Sequence, residues 1–382
     1  MIPYGKQDIN QEDVDAVIEV LKSDFITQGP HVPEFEQSMT DYTSAAYAVA
    51  ANSATSALHI ACLALGVGKG DKVWTSPITF VASANCALYC GADVDFVDID
   101  PTTYNMSPES LEEKLIKANL NGTLPKLVIP VHLCGQSCEM ARIKALSDQY
   151  GFKIIEDASH AVGGKYKDEP IGNCKYSDIT IFSFHPVKII TTAEGGMAMT
   201  NDAGLAQKMM LFRSHGITRD PALMTEESHG PWYYQQIELG YNYRLTDIQA
   251  ALGTSQMKRI DEFIKIRNEL ADRYDDLLAN QRLSIPKQHC DSYSARHLYV
   301  INLHDTKNHK TVFEKMRTSG IGVNLHYIPV HLQPYYKKRG FNEGDFPVSE
   351  NYYSRAISLP LYTRLTLAEQ DQVINALLDA LK

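Results

Sequence analysis

Three side chains with useful chemistry lie between two apolar segments near the middle of the chain. Ser183, His185 and Lys188 follow an apolar run at 179–182, and a Gly-Gly pair at 195–196 leads into a second apolar run. The pattern predicts a strand, a loop and a strand. A lysine just past a buried strand is partly desolvated, which lowers its pKa and frees its amine for Schiff-base chemistry. Lys188 is therefore the candidate nucleophile, and a solvated loop lysine is the alternative.

A second segment favours the interpretation of Lys188 as a nucleophile over that of a solvated loop lysine. Residues 151–161 run from apolar positions into the acidic pair Glu156 and Asp157 and then into small residues. This pattern is typical of a buried strand that ends at the carboxyl edge of a parallel sheet, where α/β proteins bind ligands. Pyridoxal 5'-phosphate (PLP) needs a lysine for its aldehyde, an aspartate that keeps its ring nitrogen protonated, and a phosphate cradle. Lys188 and Asp157 meet the first two needs.

The phosphate cradle is predicted just after a short strand at 47–51. Asn52 and Ser53 can cap a helix that begins near Ala54 and Thr55. Free N–H groups and the positive end of the helix dipole suit a phosphate at that position. We assign the phosphate to the amides of Ala54 and Thr55 and to the hydroxyl of Thr55. A plain helix cap is the alternative.

Four segments, in this order, resemble the signature segments of the PLP-dependent nucleotide-sugar aminotransferases, which have fold type I. They are residues 52–58, 156–161, 184–188 and 240–245. The similarity covers nearly the whole chain. It is closest to the 4-aminotransferase branch of pseudaminic acid biosynthesis, because His160 and Ala193 depart from many members of the wider family and match that branch.

The resemblance implies the transfer of an amino group from L-glutamate to C4 of a UDP-linked 4-keto-6-deoxy N-acetylamino sugar. It further implies cofactor contacts by Phe80, His160 and Ser183, with core packing as the alternative for Phe80. Asn242 would reach the phosphate of the partner subunit, so that a homodimer shares its active sites. The predicted substrate contacts are Tyr4, Arg213, Arg244, His326, Tyr327 and His331.

The elements that position these residues alternate between strands and helices, as in α/β proteins. Strand and helix patterns alternate from residue 72 to residue 151, which predicts a mostly parallel sheet covered by helices. Together with the resemblance, this predicts a large PLP-binding domain (1–250) with a seven-stranded, mostly parallel sheet and a smaller C-terminal α+β domain (251–382). A helical pattern from Thr246 to about Gln281 is too long to stay unbent and marks the passage between them.

Composition limits the function classes. The formal net charge of -10 argues against a general nucleic-acid or anionic-membrane surface, and no segment is apolar for long enough to span a bilayer. The N-terminal residues lack the pattern of a secretion signal, so we expect a soluble cytoplasmic protein. The seven scattered cysteines indicate reduced thiols.

Metal binding is the weaker interpretation of two patterns. The pairs Cys86/Cys90 and Cys134/Cys138 are spaced more widely than the usual Cys-x-x-Cys ligand pair. The histidines at 326 and 331 have no third ligand at a suitable spacing, so sugar or nucleotide contacts are favoured. We predict no metal site.

Three other functions remain as alternatives. A PLP-dependent sugar dehydratase would carry histidine in place of Lys188. A regulatory relative without activity would have no reason to keep Lys188, Asp157, Thr55 and Ser183 together. An aminotransferase for a different 4-keto or 3-keto nucleotide sugar is the nearest alternative.

Overall fold

The computed structural model describes residues 1–382. Its α-helices are α1 (Gln11–Lys22), α2 (His31–Thr43), α3 (Ala54–Ala64), α4 (Ala82–Tyr89), α5 (Pro108–Leu120), α6 (Met140–Tyr150), α7 (Ala203–Arg213), α8 (Asp247–Met257), α9 (Ile260–Leu278), α10 (His309–Thr318), α11 (Pro334–Lys337), α12 (Pro347–Tyr353) and α13 (Leu367–Ala380). Its strands are β1 (Tyr47–Ala51), β2 (Lys72–Thr75), β3 (Asp93–Phe96), β4 (Leu127–Ile129), β5 (Lys153–Asp157), β6 (Lys165–Tyr166), β7 (Glu169–Pro170), β8 (Ile179–Ser183), β9 (Gly196–Thr200), β10 (Ile217–Thr218), β11 (Gln235–Gln236), β12 (Leu283–Ser284), β13 (Ser292–Tyr293), β14 (Tyr299–Leu303) and β15 (Ala356–Leu359).

The main sheet has seven strands in the order β1-β9-β8-β5-β4-β2-β3. Only β9 runs antiparallel to its neighbours, so the prediction of a seven-stranded, mostly parallel sheet is confirmed. Both faces are buried, as expected when helices cover a parallel sheet. Ile155 and Ile181 pack with residues of α3 and α4, whereas Ile154 and Phe182 face the opposite side.

Candidate site residues lie at or just past the ends of three strands, all at one edge of this sheet. Strand β1 is antiparallel to β9, which is antiparallel to β8, so β1 and β8 point the same way. Strand β5 is parallel to β8. Asp157 therefore ends β5, Ser183 ends β8, and α3 begins just past the end of β1, all at the same edge.

The C-terminal residues form a second, smaller layer. Strands β12, β14 and β15 make an antiparallel sheet whose core includes side chains of α9, α10 and α13. The helical pattern that begins at Thr246 is two helices, α8 and α9, separated at residues 258–259. The predicted domain boundary between residues 250 and 251 lies within α8, and the division stays a prediction.

Two further observations concern the whole chain. All seven cysteines are free thiols. None of the helices combines enough length with enough apolar residues to cross a membrane.

Candidate active site

A cavity of about 610 Å³ opens at the carboxyl edge of the main sheet. It gathers residues that are far apart in sequence, as expected where parallel strands end. Of the residues predicted from the sequence, its wall contains Tyr4, Ala54, Thr55, Phe80, Asp157, His160, Ser183, Lys188, His326 and Tyr327.

Lys188 lies in the loop between β8 and β9, with its half-buried side chain in the cavity wall. Burial lowers the pKa of its amine to about 8, although the nearby carboxylate of Asp157 acts in the opposite direction. A lower pKa means that a larger fraction of the amine is neutral near pH 7. The neutral amine is the nucleophilic form, so the structure gives Lys188 the property expected of a Schiff-base lysine.

The lowered pKa of Lys188 can be measured directly. Burial disfavours the ammonium form, so in the cofactor-free protein the amine should lose its proton at lower pH than an exposed lysine. Competitive acetylation followed by peptide mass spectrometry should show a midpoint for Lys188 at about pH 8. Exposed lysines should titrate at about pH 10.4. A midpoint for Lys188 that coincides with theirs would refute the desolvated site.

Asp157 is buried at the end of β5, and three donors fix its carboxylate. One oxygen accepts from the hydroxyl of Ser83 on α4 at 2.6 Å. The other accepts from the hydroxyl and the backbone N–H of Ser159, at 2.6 and 3.1 Å. Because the carboxylate also lines the cavity, it can pair with a protonated ring nitrogen there. Neither serine was predicted from the sequence as a partner of Asp157.

The start of α3 forms an anion cradle. Ser53 caps the helix by accepting from the N–H of Ser56 at 3.1 Å. The N–H groups of Ala54 and Thr55 donate to no protein acceptor and belong to the cavity wall, together with the hydroxyls of Thr55 and Ser183. Such a helix start attracts a phosphate.

Gly196 allows this cradle to form. A Cβ atom at Gly196 would lie only 2.4 Å from the backbone nitrogen of Ala54. Any side chain there would push α3 away from β9. The glycine therefore lets the helix start approach the sheet edge closely, where the cavity lies.

Three buried histidines form one wall, and all three are neutral. Burial lowers the pKa of His160 and of His297 well below the usual range, and the charge on Lys188 adds to this effect. Burial lowers the pKa of His326 to about 4. His297 was not predicted as a site residue. It reaches the wall because its backbone N–H donates to the carbonyl of Cys134 at 2.9 Å, a tertiary contact with no sequence signature.

Aromatic residues complete the cavity. The side chain of Phe80 is 60% exposed, so its alternative role as a core residue is not supported. Its ring lies 6.3 Å from that of Tyr327, measured between centroids, and Tyr4 lies 5.2 Å from His326. A planar ligand can stack on Phe80 in this position.

Four predicted contacts lie outside the cavity of this chain. Asn242 is exposed and Arg244 is half-buried. Arg213 forms an ion pair with Glu36 and donates to the carbonyl of Ala50 at 2.8 Å. His331 is fully buried, and its Nε2 atom lies 2.9 Å from Glu350. These partners explain Arg213 and His331 as structural residues, and we do not retain either as a substrate contact.

The cavity meets the chemical needs of PLP. Lys188 offers an amine of lowered pKa, Asp157 an oriented carboxylate, and the start of α3 a set of unpaired donors. The donors follow β1 and the carboxylate ends β5, at the same edge of the sheet, and Phe80 supplies an exposed aromatic face. The residues therefore fit this cofactor.

Comparisons with known proteins agree with the geometry. Residues 7–378 match the model of the DegT/DnrJ/EryC1/StrS aminotransferase family. The spore coat polysaccharide biosynthesis protein SpsC of Bacillus subtilis is 40% identical over 387 residues, covering 100% of this chain and 97% of that protein. A UDP-4-amino-4,6-dideoxy-N-acetyl-beta-L-altrosamine transaminase of Campylobacter jejuni is 39% identical over 385 residues, covering 100% and 98%.

A solved structure shows the same similarity. The structure of Helicobacter pylori PseC, an aminotransferase involved in the biosynthesis of pseudoaminic acid, superimposes with a TM-score of 0.91 at 31% identity. The match covers 100% of this chain and 99% of that one. The chain therefore belongs to the DegT/DnrJ/EryC1/StrS aminotransferase family. It is a sugar aminotransferase that depends on PLP.

Proposed function

We propose that this family member transfers the amino group of L-glutamate to C4 of a UDP-linked 4-keto-6-deoxy N-acetylamino sugar. Two Campylobacter jejuni relatives, 39% and 38% identical, are named UDP-4-amino-4,6-dideoxy-N-acetyl-beta-L-altrosamine transaminase. The observation that carries the chemistry is the pairing, in one cavity, of an amine of lowered pKa with an oriented carboxylate.

PLP, when bound, supplies an electron sink that stabilises the negative charge left when a proton leaves the amino donor. The amine of Lys188 would hold the cofactor aldehyde until the amine of the donor takes its place. The freed amine would then move the proton from Cα of the donor to C4′ of the cofactor. Asp157 would hold the proton on the ring nitrogen. The start of α3 and the hydroxyl of Ser183 would bind the phosphate.

The same residues act in the opposite direction on the sugar. Lys188 would move a proton from C4′ of the cofactor to C4 of the sugar, and the sugar would keep the amino group. Both substrates must therefore bind in one cavity in turn. Its wall contains no arginine, so this chain alone presents mainly neutral hydrogen-bonding groups to them, among them Tyr4, His326 and Tyr327.

A second subunit would add to this site. The side chain of Asn242 is exposed and makes no hydrogen bond within its own chain, where only its carbonyl accepts from Asn52, at 3.4 Å. The segment before it exposes large apolar side chains, with Trp232 at 72% and Leu239 at 75%. A partner surface would cover such residues. These features support a homodimer in which Asn242 reaches the phosphate of the neighbouring subunit.

Subunit mixing tests this arrangement. Lys188→Ala and Asn242→Asp should each be inactive alone, because one lacks the amine and the other places a negative charge beside the phosphate. A mixed dimer has one site that combines an intact Lys188 with the partner's intact Asn242, whereas its other site carries both defects. Activity should return after exchange, at no more than about half the wild-type value per dimer.

A matched mixture serves as the control. Asp157 and Lys188 act in the same chain, so mixing Lys188→Ala with Asp157→Asn leaves a defect in every site and should restore nothing. If the mixture with Asn242→Asp also restores nothing, Asn242 serves its own chain and the shared site is wrong.

The sugar itself is tested with a panel of keto sugars. The enzyme should aminate UDP-linked 4-keto-6-deoxy N-acetylamino sugars with glutamate, and NMR of the product gives the configuration at C4. A different 4-keto nucleotide sugar is the second candidate, because SpsC, which is similar over the whole chain, is named for spore coat polysaccharide biosynthesis. Turnover confined to sugars without the N-acetyl group, or to 3-keto sugars, would exclude the proposed substrate.

A further inference from the structure

The buried histidine at position 160 has only one possible proton arrangement. Its Nδ1 atom lies 3.3 Å from the backbone nitrogen of Cys134, whose N–H donates to it. An atom that accepts a hydrogen bond carries no proton, and the lowered pKa of His160 keeps the ring neutral. The single ring proton must therefore be on Nε2.

The turn that carries Cys134 is held tightly in this position. Cys134 and Gly135 both adopt positive φ angles, 60° and 100°. A Cβ atom at Gly135 would lie 2.9 Å from the carbonyl oxygen of His160 and 2.8 Å from the backbone nitrogen of Arg296. The turn therefore packs directly against the residue whose proton it directs.

The proton on His160 decides the role of Tyr327. Nε2 of His160 lies 3.1 Å from the hydroxyl oxygen of Tyr327, so the imidazole donates and the tyrosine oxygen accepts. Burial raises the pKa of Tyr327, so its hydroxyl group keeps its proton. That proton cannot point at His160. No other protein group accepts from this hydroxyl, and Tyr327 belongs to the cavity wall.

We propose that Tyr327 donates a hydrogen bond to an oxygen atom of the bound ligand, and that His160 is the positioning residue that fixes the direction of this donation. A neutral donor suits a phenolate, carbonyl or hydroxyl oxygen. The cofactor and the sugar both carry such oxygens, and the experiments below distinguish them. If the acceptor oxygen belongs to the sugar, this inference rests on the proposed function. If it belongs to the cofactor, it does not.

The proton arrangement can be observed without any activity. In the full-length protein freed of cofactor and labelled with ¹⁵N-histidine, long-range proton–nitrogen correlation spectra should show His160 protonated at Nε2 and free of a proton at Nδ1. Comparison with His160→Gln identifies its signals. A His160 protonated at Nδ1 would overturn the proposal, because Tyr327 would then donate to His160 and not to a ligand.

Removing the hydroxyl tests the donation. Tyr327→Phe should weaken one interaction by about 10- to 100-fold, the range for a hydrogen bond to a charged or strongly polar oxygen. If the acceptor belongs to the cofactor, the Kd for PLP rises and the absorbance of bound PLP shifts before any substrate is added. If it belongs to the sugar, the KM for the sugar rises while the Kd for PLP and the spectrum stay unchanged. Changes below twofold in both constants would refute the donation.

The positioning role has its own variants. His160→Leu should reproduce much of the effect of Tyr327→Phe, whereas His160→Gln should recover most of the loss, since a side-chain amide can accept from Cys134 and donate to Tyr327. Equal loss in the two variants would refute the positioning role.

Tyr104→Phe removes a buried hydroxyl outside this cavity and should change neither constant. If the wild-type enzyme aminates no keto sugar, the proposed substrate fails, while the NMR spectra and the Kd for PLP still decide the role of Tyr327.

Discussion

Replacing Lys188 with alanine should lower the rate of amino transfer by more than about 10⁴-fold, because it removes both the nucleophile and the group that moves the proton. The fold should survive. The Lys188 side chain faces the cavity and takes part in no hydrogen bond or ion pair of the protein. Removing a desolvated amine also leaves no buried group unpaired.

The measurements are steady-state turnover with glutamate and a keto sugar, a thermal unfolding curve, and peptide mass spectrometry after borohydride reduction. The reduced wild-type enzyme should carry the cofactor on the peptide that contains residue 188, and the variant should not. Lys153→Ala is the matched control, since Lys153 is an exposed lysine paired with Asp178 at 2.9 Å. Near-normal turnover by Lys188→Ala would refute the mechanism.

Replacing Asp157 with asparagine should slow proton transfer by about 10²- to 10⁴-fold while PLP still binds. The amide has nearly the same shape as the carboxylate but has no negative charge to hold a proton on the ring nitrogen. The phosphate cradle and Lys188 remain in place to bind the cofactor. The rate to measure is the half-reaction with glutamate, followed by the absorbance of the cofactor after rapid mixing.

Ser159→Ala separates the charge of Asp157 from its orientation. It removes the 2.6 Å hydrogen bond from the Ser159 hydroxyl and leaves the carboxylate and the Ser83 contact unchanged. Its half-reaction should slow by less than about tenfold, because the charge remains and the Ser83 hydroxyl and the Ser159 N–H still orient the carboxylate. A half-reaction in Asp157→Asn as fast as in the wild type would show that the charge has no such role.

Some of this site could be predicted from the sequence, because local patterns encode it. Asp157 and Ser183 each end an apolar run, and such runs are buried strands whose ends meet at one sheet edge. The capping residues before α3 likewise mark a helix start locally. The resemblance to a family added the predicted role of His160, which no spacing rule provides, and supported that of Phe80.

Other parts of the site depend on contacts between distant segments. Arg213 was predicted as a substrate contact, but its guanidinium is paired with Glu36, which lies 177 residues earlier in the chain. His331 was proposed from its position near Tyr327, yet its side chain is fully buried and bonds to Glu350. His297 was missed because its place follows from a backbone contact with Cys134. In each case the partner lies outside the local pattern.

The central claim is that nitrogen passes from glutamate to C4 of the sugar, and an isotope experiment tests it most directly. The PLP-loaded enzyme is incubated with ¹⁵N-labelled L-glutamate and a UDP-linked 4-keto-6-deoxy N-acetylamino sugar, and the product is analysed by NMR. We expect ¹⁵N bonded to C4 of the sugar, with one molecule of the 2-oxo acid of glutamate formed for each amino sugar. A sugar that gains no ¹⁵N, or gains it at another carbon, would contradict the proposed function.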